Sequence, residues 1–509
     1  MTGATARAIL DDAEQELGRL ERERARVRCE QYVRKQAEPE AARIDAAMAD
    51  LLGGGELAEA AACLAEEAFS PLDRRRALLW RRRMDEQAID GAPDVLALRR
   101  GIEGRLTAFS PEAAGVRGMA SVRHVVRTDP DRENRREAWA ALAPLSRGIA
   151  PDLRRLMALR EERAHRVRRH GYVAAVLERQ ELGPGRVATF LQALLRDTDA
   201  VYRAAIEERA SWAGIDDDLE PWDVEYLLGM SVSRGAAEGR FSARDIGPTL
   251  TDFVRDHGLE PLSLGISLVP CDIPFNGLCV PVDPPYDIRI LASPRDGVGY
   301  YHTLTHELGH ALHARFQEGP SRLWRQEPGV FNEAMGEVLA AFTEDPAWLR
   351  DRGLDTRGIE AVREDMRFGR LAFVRLRTVR ALCEYALYAD GSADGDEVLG
   401  RVEAEVLGVR ADDTPRWAAD AWYVSYPVYW QNYVLAAAIA SQTAAALRQA
   451  WGGLYGRPQA LETVRTGYWR PGAAVPWPDK VEAVTGAPLG IGALAEDLGG
   501  ATGRHSRQS

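Results

Sequence analysis

Tyr300–Phe316 reads YYHTLTHELGHALHARF, and Phe331–Phe342, a short distance along the chain, reads FNEAMGEVLAAF. The first segment contains the pattern His-Glu-x-x-His at His306, Glu307 and His310. In a helix, the two histidines lie one turn apart on the same face. Two neutral imidazoles in this arrangement can bind one Zn²⁺. We therefore expect a helix in this stretch that supplies two ligands of a metal site.

The second segment supplies a candidate for the third protein ligand that a catalytic zinc needs. Its apolar residues recur at helical spacing, so Glu333 and Glu337 lie on one face of a predicted helix. We assign Glu333 as the third ligand. Glu337 is then one turn further on, where it can orient a ligating histidine through the second ring nitrogen. The prediction is one Zn²⁺ ion, which two imidazoles and a carboxylate favour over manganese or cobalt.

The other polar residues of the first helix have separate expected roles. Glu307 projects from the neighbouring face, where its carboxylate can act as a general base towards a metal-activated water. One straight helix cannot direct His302, His306 and His310 at a single ion, so His302 is expected to contact a ligand or the substrate. His313 is expected to cap or pack. The alternative is a chance occurrence of the motif on a surface helix, which the second acidic segment makes less favoured.

Composition sets limits on the class of protein. The chain has 509 residues, of which 46% are hydrophobic and 28% charged, and this is typical of a globular protein. A net charge of −12 argues against a nucleic-acid partner. The five cysteines are scattered, which predicts no disulfide framework and favours the cytoplasm. We expect no signal peptide and no membrane span, because the N-terminus lacks an apolar core and no apolar run reaches about 18 residues.

Helical periodicity dominates the rest of the chain. Helices are expected over about 5–52, 56–108, 130–215 and 248–258, and again over about 358–390, 394–407, 415–450 and 458–466. Asp129 is predicted to cap a helix that begins at Pro130, and Pro151 and Pro184 are predicted to start two others. Residues 262–291, rich in Pro, Gly, Val and Ile, predict two or three short strands. The edge of that sheet either holds an extended peptide or only packs.

With these residues in place, the chain resembles helical zinc peptidases of the gluzincin type. Thr303–His313, TLTHELGHALH, is similar to the thimet oligopeptidase/oligoendopeptidase F family. Phe331–Ala340, FNEAMGEVLA, is closer to the related angiotensin-converting-enzyme family, which has an aspartate where Glu337 stands. The segment Asp287–Ile290 resembles a strand that precedes the zinc helix in the second family. The resemblance is specific around residues 300–340 and loose over about 150–490.

The resemblance implies a mainly α fold. The expected architecture is a helical ellipsoid of two lobes around a deep substrate channel, with a small β-sheet next to the zinc helix. We assign residues 1–260 to an N-terminal helical lobe with lid helices and 261–299 to the small β region. Residues 300–498 form the predicted catalytic zinc-binding helical region, and 499–509 a disordered tail. The lobes of the related proteins are built from interleaved segments.

The resemblance also implies functional tyrosines in Trp422–Tyr433, WYVSYPVYWQNY. Tyr433 is expected to donate a hydrogen bond to the oxyanion of the tetrahedral intermediate, and Tyr429 and Tyr426 are expected to contact the substrate. Both families have a histidine at the position of Tyr423, which keeps a donor but cannot become a cation near neutral pH. We assign Tyr423 a supporting catalytic role. The alternative for the whole group is core packing of an amphipathic helix.

Together these residues predict a zinc metallopeptidase that hydrolyses short peptides, with Glu307 as general base. It is expected to be cytoplasmic, monomeric or homodimeric, and without nucleic-acid or membrane partners. One alternative is a dedicated biosynthetic-pathway peptidase, or an amide-processing enzyme, acting on one modified peptide. The missing histidine motivates it, as does Ala421, which replaces a carboxylate-binding lysine of the converting-enzyme family. The other alternative is a catalytically inactive peptide-binding protein, against which the intact Glu307 argues.

Overall fold

A computed structural model of the protein describes residues 1–35, 40–66, 68–110, 118–231, 234–273 and 275–499. Within these residues the fold is mainly α, as predicted, with a small three-stranded sheet. Residues 500–509, which make up most of the predicted disordered tail, lie outside the described part of the chain.

The helices and strands follow one another closely along the described chain. The α-helices are α1 Gly3–Arg34, α2 Glu40–Leu52, α3 Gly55–Leu64, α4 Pro71–Ile89, α5 Pro93–Thr107, α6 Gly118–Thr128, α7 Arg132–Ala140, α8 Ala143–Arg168, α9 Tyr172–Arg179, α10 Pro184–Trp212, α11 Pro221–Gly229, α12 Arg234–Ala237, α13 Ile246–Asp256, α14 Val298–Phe316, α15 Gly329–Ala340, α16 Pro346–Asp351, α17 Thr356–Ala389, α18 Gly395–Leu407, α19 Ala421–Ser425, α20 Trp430–Trp451, α21 Pro458–Val464, α22 Trp477–Thr485 and α23 Gly492–Asp497. The strands are β1 Ile266–Pro270, β2 Gly277–Asp283 and β3 Asp287–Ala292.

The chain divides into two compact units, each built from three segments. The first unit comprises Met1–Gly91, Gly235–Ile359 and Ile439–Leu489, and the second comprises Ala92–Arg234, Glu360–Ala438 and Gly490–Ser509. Both predicted metal-binding segments belong to the first unit, and the predicted tyrosine segment belongs to the second. The contiguous domain boundaries expected from the sequence, and the channel between two lobes, remain predictions.

In the first unit, the N-terminal helices α1 to α4 pack around one apolar core. Leu17, Leu64 and Trp80 are fully buried members of it. The start of α4 is locally encoded, because the Ser70 hydroxyl accepts a hydrogen bond from the Asp73 amide and a proline occupies the first turn. Helix α1 is capped at its C-terminal end by Lys35, which adopts a left-handed backbone conformation. The exposed ammonium of Lys35 pairs with Asp272.

The small sheet of the first unit lies against the predicted metal helix. Its strand order is β1-β3-β2, with β1 parallel and β2 antiparallel to the central strand β3. Ile288, Ile290 and Leu291 of β3 are fully buried. Helix α14 packs on β2 and β3. The prediction of two or three strands immediately before the metal helix is therefore confirmed, and β2 is an edge strand beside that helix.

Two predicted helix starts are wrong. Helix α7 begins at Arg132 rather than Pro130, and Asp131 caps it by accepting a hydrogen bond from the Glu133 amide. Asp129 instead accepts a hydrogen bond from the Asp131 amide, which holds the preceding turn. The prediction that Pro184 starts a helix is confirmed at α10.

Pro151 is the second error, because it lies inside α8 and does not start a helix. A proline removes one main-chain hydrogen bond from a helix interior, yet its fixed φ is compatible with the helix. The flanking residues Ile149 and Leu153 are both buried, so packing offsets the lost hydrogen bond. No helix in the described residues combines the length and the hydropathy of a membrane span.

Candidate metal centre

Helices α14 and α15 pack side by side within the first unit and carry all of the predicted metal-binding side chains. Gly309, inside the His-Glu-x-x-His motif, permits the close approach. A Cβ atom at that position would overlap the carbonyl oxygen of Met335 and lie 3.0 Å from the Cα atom of Gly336. The motif glycine therefore sets the spacing between the two helices that present the ligands.

The three predicted ligands converge. One ligand atom each from His306, His310 and Glu333 lie within 4.8 Å of one another. The two Nε2 atoms are 3.0 Å apart, and His306 Nε2 is 3.7 Å from Glu333 Oε2. Two ligand atoms at about 2.0–2.1 Å from a tetrahedral zinc are separated by about 3.4 Å. These distances and the donor set fit a single small divalent cation with two imidazoles and one carboxylate.

Both histidines are oriented through their second ring nitrogen. Glu337 Oε1 lies 3.2 Å from His306 Nδ1, which is the contact that the spacing of the second segment predicts. His310 makes its hydrogen bond to the main chain of Asn332, in the first turn of α15. Such partners fix the ring tautomer and direct the other nitrogen at the ion. Helix α15 thus orients both histidines as well as supplying the third ligand.

The carboxylates dominate the electrostatics of the metal-free pair. Burial opposes protonation of His306, but Glu337 and the neighbouring Glu307 and Glu333 outweigh it and raise the pKa of His306 to about 9. Burial and the adjacent His306 lower the pKa of His310 well below its ordinary value. One proton therefore resides on the pair where a cation would bind, so metal binding displaces a proton.

Glu307 is held against the edge of the sheet. Its Oε2 accepts a hydrogen bond of 2.7 Å from the Cys279 amide of β2, and the side chain is only 9% exposed. Burial raises the pKa of Glu307, although His306 and the Cys279 amide oppose the rise. Gly277 makes room for this arrangement, because a Cβ atom there would lie 2.8 Å from Glu307 Cγ. The carboxylate therefore has one anchored oxygen and one oxygen left for other chemistry.

Gly336 makes room for the first ligand in a similar way. A Cβ atom at this position of α15 would lie 2.5 Å from both Cε1 and Nε2 of His306. Real Cβ atoms do not approach a ring so closely, and packed interiors tolerate such overlap poorly. The glycine between Glu333 and Glu337 is therefore a steric requirement for the position of His306.

His302 and His313 lie outside the ligand cluster. His302 Nδ1 is 3.2 Å from Thr343 Oγ1, and the threonine hydroxyl donates its proton to Ala340 O. His302 is therefore the donor to Thr343, one turn from the ligands.

His313 is buried, and its Nε2 lies 3.2 Å from Glu327 Oε1, which also accepts a hydrogen bond of 2.6 Å from Lys480 Nζ. Lys480 is 2% exposed. Packing of His313 is one of the two roles expected from the sequence.

The predicted tyrosines lie together in the second unit. The rings of Tyr426, Tyr429 and Tyr433 cluster around Trp422, with centroid separations of 5.0, 5.8 and 5.9 Å from its ring. Tyr426 is exposed, whereas Tyr429 and Tyr433 are half-buried. Their roles towards an oxyanion or a substrate remain predictions.

Tyr423 differs from the other three tyrosines. It is 2% exposed, and its hydroxyl donates to the main-chain oxygen of Arg380 at 3.1 Å. Burial raises the pKa of the Tyr423 phenol well above its ordinary value. A catalytic use of this phenol requires that hydrogen bond to break, and the supporting catalytic role of Tyr423 remains a prediction.

Sequence reasoning missed four residues of the centre. Gly277, Gly309 and Gly336 act through the space they leave, and Cys279 acts through its main-chain amide. Gly309 lies between the two ligating histidines and Gly336 lies between Glu333 and Glu337, so a glycine inside each motif was the available signal. The Cys279 contact joins residues 28 positions apart and has no local signal.

No model of a known protein family matches this chain. A search of curated proteins likewise gives no match. The resemblance to zinc peptidases therefore depends on the residues around 300–340, and the identification with that class remains a prediction.

Proposed function

We propose that this protein is a zinc-dependent metallopeptidase that hydrolyses peptide bonds in short peptides. The observation that carries the proposal is the convergence of His306, His310 and Glu333 within 4.8 Å. Beside them, Glu307 is buried and anchored by one oxygen. A structural role alone would not explain three ligand atoms directed at one point together with an adjacent carboxylate.

A zinc ion held by the two imidazoles and Glu333 would act as a Lewis acid towards a peptide carbonyl and a water molecule. The protein's own part is proton transfer and orientation. Because the Cys279 amide holds Glu307 Oε2, Oε1 is the atom that accepts a proton from the attacking water. The same atom then returns the proton to the leaving amine.

The proposed stabilisation of the oxyanion rests only on the resemblance to the zinc peptidase families. Tyr433 is the proposed donor, and Tyr429 and Tyr426 are proposed substrate contacts. His302 lies one turn from the ligands on α14, and we propose that it contacts a ligand or the substrate. We propose a cytoplasmic, monomeric or homodimeric protein, in keeping with the free cysteines of the described chain.

A second candidate is a dedicated enzyme that cleaves one modified or biosynthetic peptide. Tyr423 favours this candidate, because it stands where the resembled families have a histidine. Its buried phenol donates a hydrogen bond to a main-chain oxygen. Substrate handling would then differ from that of a general oligopeptidase. A panel of ordinary oligopeptides separates the two, since broad cleavage supports the general peptidase and cleavage of none supports the dedicated enzyme.

The first experiment combines metal analysis with cleavage of a quenched peptide library by the wild type and by Glu307→Gln. We expect one zinc per chain in both proteins and cleavage by the wild type alone. His306→Ala provides the matched metal control, which should lose the ion. A wild-type protein that binds no metal would refute the proposal, and zinc without cleavage of any library peptide would support the dedicated enzyme.

A further inference from the structure

The second unit contains a group of arginines with too few acidic partners, which we call the arginine cluster. Arg123 and Arg127 lie one turn apart on α6, and Arg377 and Arg380 lie one turn apart on α17. Arg127 donates to Glu225 Oε2 at 2.9 Å, and Arg380 Nε lies 3.4 Å from Asp420 Oδ2. Two guanidiniums therefore have carboxylate partners.

In the described part of the chain, the other two guanidiniums, those of Arg123 and Arg377, have no carboxylate partner of their own. Among the described residues, neither Arg123 nor Arg377 forms an ion pair, and the buried Nε of Arg377 has no hydrogen-bond partner. Burial and the charge of Arg380 lower the pKa of Arg377. Since a guanidinium stays charged in proteins, the half-buried guanidinium of Arg377 favours an external counter-charge.

Aromatic rings hold these guanidiniums in place. The Arg377 guanidinium lies 4.2 Å from the Phe373 ring centroid and 4.6 Å from that of Trp430. Arg380 lies 4.8 Å from the same Trp430 ring. Stacking of this kind covers the face of a guanidinium and leaves its N–H edge for a planar acceptor. Bidentate recognition of a carboxylate uses that edge.

The cluster is reachable from solvent. Arg380 is 31% and Arg127 51% exposed by side chain, and Arg123 is exposed. Tyr426, which is linked to the cluster through the rings of Trp422 and Trp430, is also exposed. A ligand can therefore reach the arginines without disrupting the core.

We propose that the arginine cluster binds a carboxylate group of a short peptide ligand, with Arg377 and Arg123 as the residues that pair with it. This inference rests on the proposed function for the choice of a peptide, and it adds a binding site in the second unit for peptides that carry an accessible carboxylate. The carboxylate is either an acidic side chain or a free C-terminus, and the two sources share the same planar oxygen pair.

The test measures peptide binding by calorimetry in full-length, zinc-loaded Glu307→Gln, in which turnover should not interfere. Three matched pentapeptides are compared: Ac-Ala-Ala-Glu-Ala-Ala-NH₂, the same peptide with Gln in place of Glu, and the Gln peptide with a free C-terminus. We expect one of the two carboxylate-bearing peptides to bind at least about tenfold more tightly than the fully blocked Gln peptide, about 1.4 kcal/mol. Which of them does so identifies the source of the carboxylate.

The preference should disappear in Arg377→Gln and also in Arg123→Gln, which changes an exposed residue on a different helix. Arg363→Gln, an exposed arginine on α17, is the matched control and should keep the preference. Equal binding of all three peptides would overturn the inference, as would a preference that survives both cluster variants. Cleavage by the wild-type protein is measured separately, so failure of the metal centre and failure of the arginine cluster give different results.

Discussion

The metal centre and the arginine cluster are both built on packed helices, but their charge balances are opposite. Three carboxylates, those of Glu307, Glu333 and Glu337, surround two imidazoles in the metal centre. In the described part of the arginine cluster, four guanidiniums share two carboxylates. Partly buried charge that lacks a partner is costly. The sign of the surplus therefore indicates the class of ligand, a divalent cation in the first region and a carboxylate in the second.

The largest expected effect separates the charge that binds metal from the charge that moves a proton. Glu307→Gln keeps the shape of the side chain and removes the basic oxygen. We expect zinc content to stay at the wild-type level and turnover to fall by roughly 10²–10⁴-fold. Metal analysis and peptide hydrolysis of the same preparation check this. Full activity of Glu307→Gln would show that the Glu307 carboxylate contributes only negative charge near the metal and does not transfer a proton.

The second prediction tests whether shape, as well as charge, defines the metal centre. Gly336→Ala places a Cβ atom 2.5 Å from the His306 ring, so we expect the ring to shift and the free energy of unfolding to fall by about 1–3 kcal/mol. Zinc affinity should fall as well. Gly369→Ala is the control, because a Cβ atom there meets nothing within 4 Å. If both variants bind zinc as tightly as the wild type, the charge of the ligands is sufficient for zinc binding and the space left by Gly336 is not required.

A smaller effect is expected from Glu337→Gln, which removes one negative charge but no metal ligand. The amide can still contact His306 Nδ1, but it no longer increases the basicity of the ring. We expect zinc affinity to fall by about 10–100-fold, as for other residues that orient a ligating histidine. Competition with a chelator measures it. Glu360→Gln, an exposed site on α17, should leave affinity unchanged, and an equal loss in both variants would count against a specific role.

His257 offers a third case, a polar group that is buried but balanced. Its Nδ1 lies 2.7 Å from Phe253 O, and its Nε2 accepts a hydrogen bond from the Gly456 amide, so the ring is neutral. Burial lowers the pKa of His257 below 6.5. Its contribution to stability is therefore complete above pH 6.5 and is lost as the pH falls towards the folded-state pKa.

Comparison of the wild type with His257→Gln isolates this contribution. Denaturant unfolding between pH 7 and pH 5 should show that the wild type loses up to about 1.4 kcal/mol more per pH unit than the variant. His124→Gln, which changes an exposed histidine, should retain the wild-type slope. Parallel slopes for wild type and His257→Gln would mean that other groups dominate the pH dependence.

Much of the metal centre is predictable because its information is local. His306 and His310 are one turn apart on one helix, as are Glu333 and Glu337 on another, so spacing alone places each pair on a face. The mainly helical fold follows from periodicity in the same way. Pro151 was misassigned because proline suits both a helix start and an interior position whose flanking residues are buried.

The arginine cluster could not be predicted for the opposite reason. Its arginines come from α6 and α17, which are distant in sequence, and no spacing rule connects Arg380 with Glu225 of α11. In the sequence, the densest runs of arginine lie in α4. One of these arginines, Arg76, has an acidic partner, because it donates a hydrogen bond to the buried Glu14 carboxylate of α1. Only the folded contacts separate an arginine with partners from one without.

The burial of Lys480 has a practical consequence. The sequence contains two lysines, and the other is Lys35 at the end of α1, whose side chain is 62% exposed. Reagents that acylate amines should therefore modify a single lysine side chain on the folded protein. A dye, a crosslinker or a solid support can be attached at this side chain, far along the chain from both motifs and without any engineered substitution.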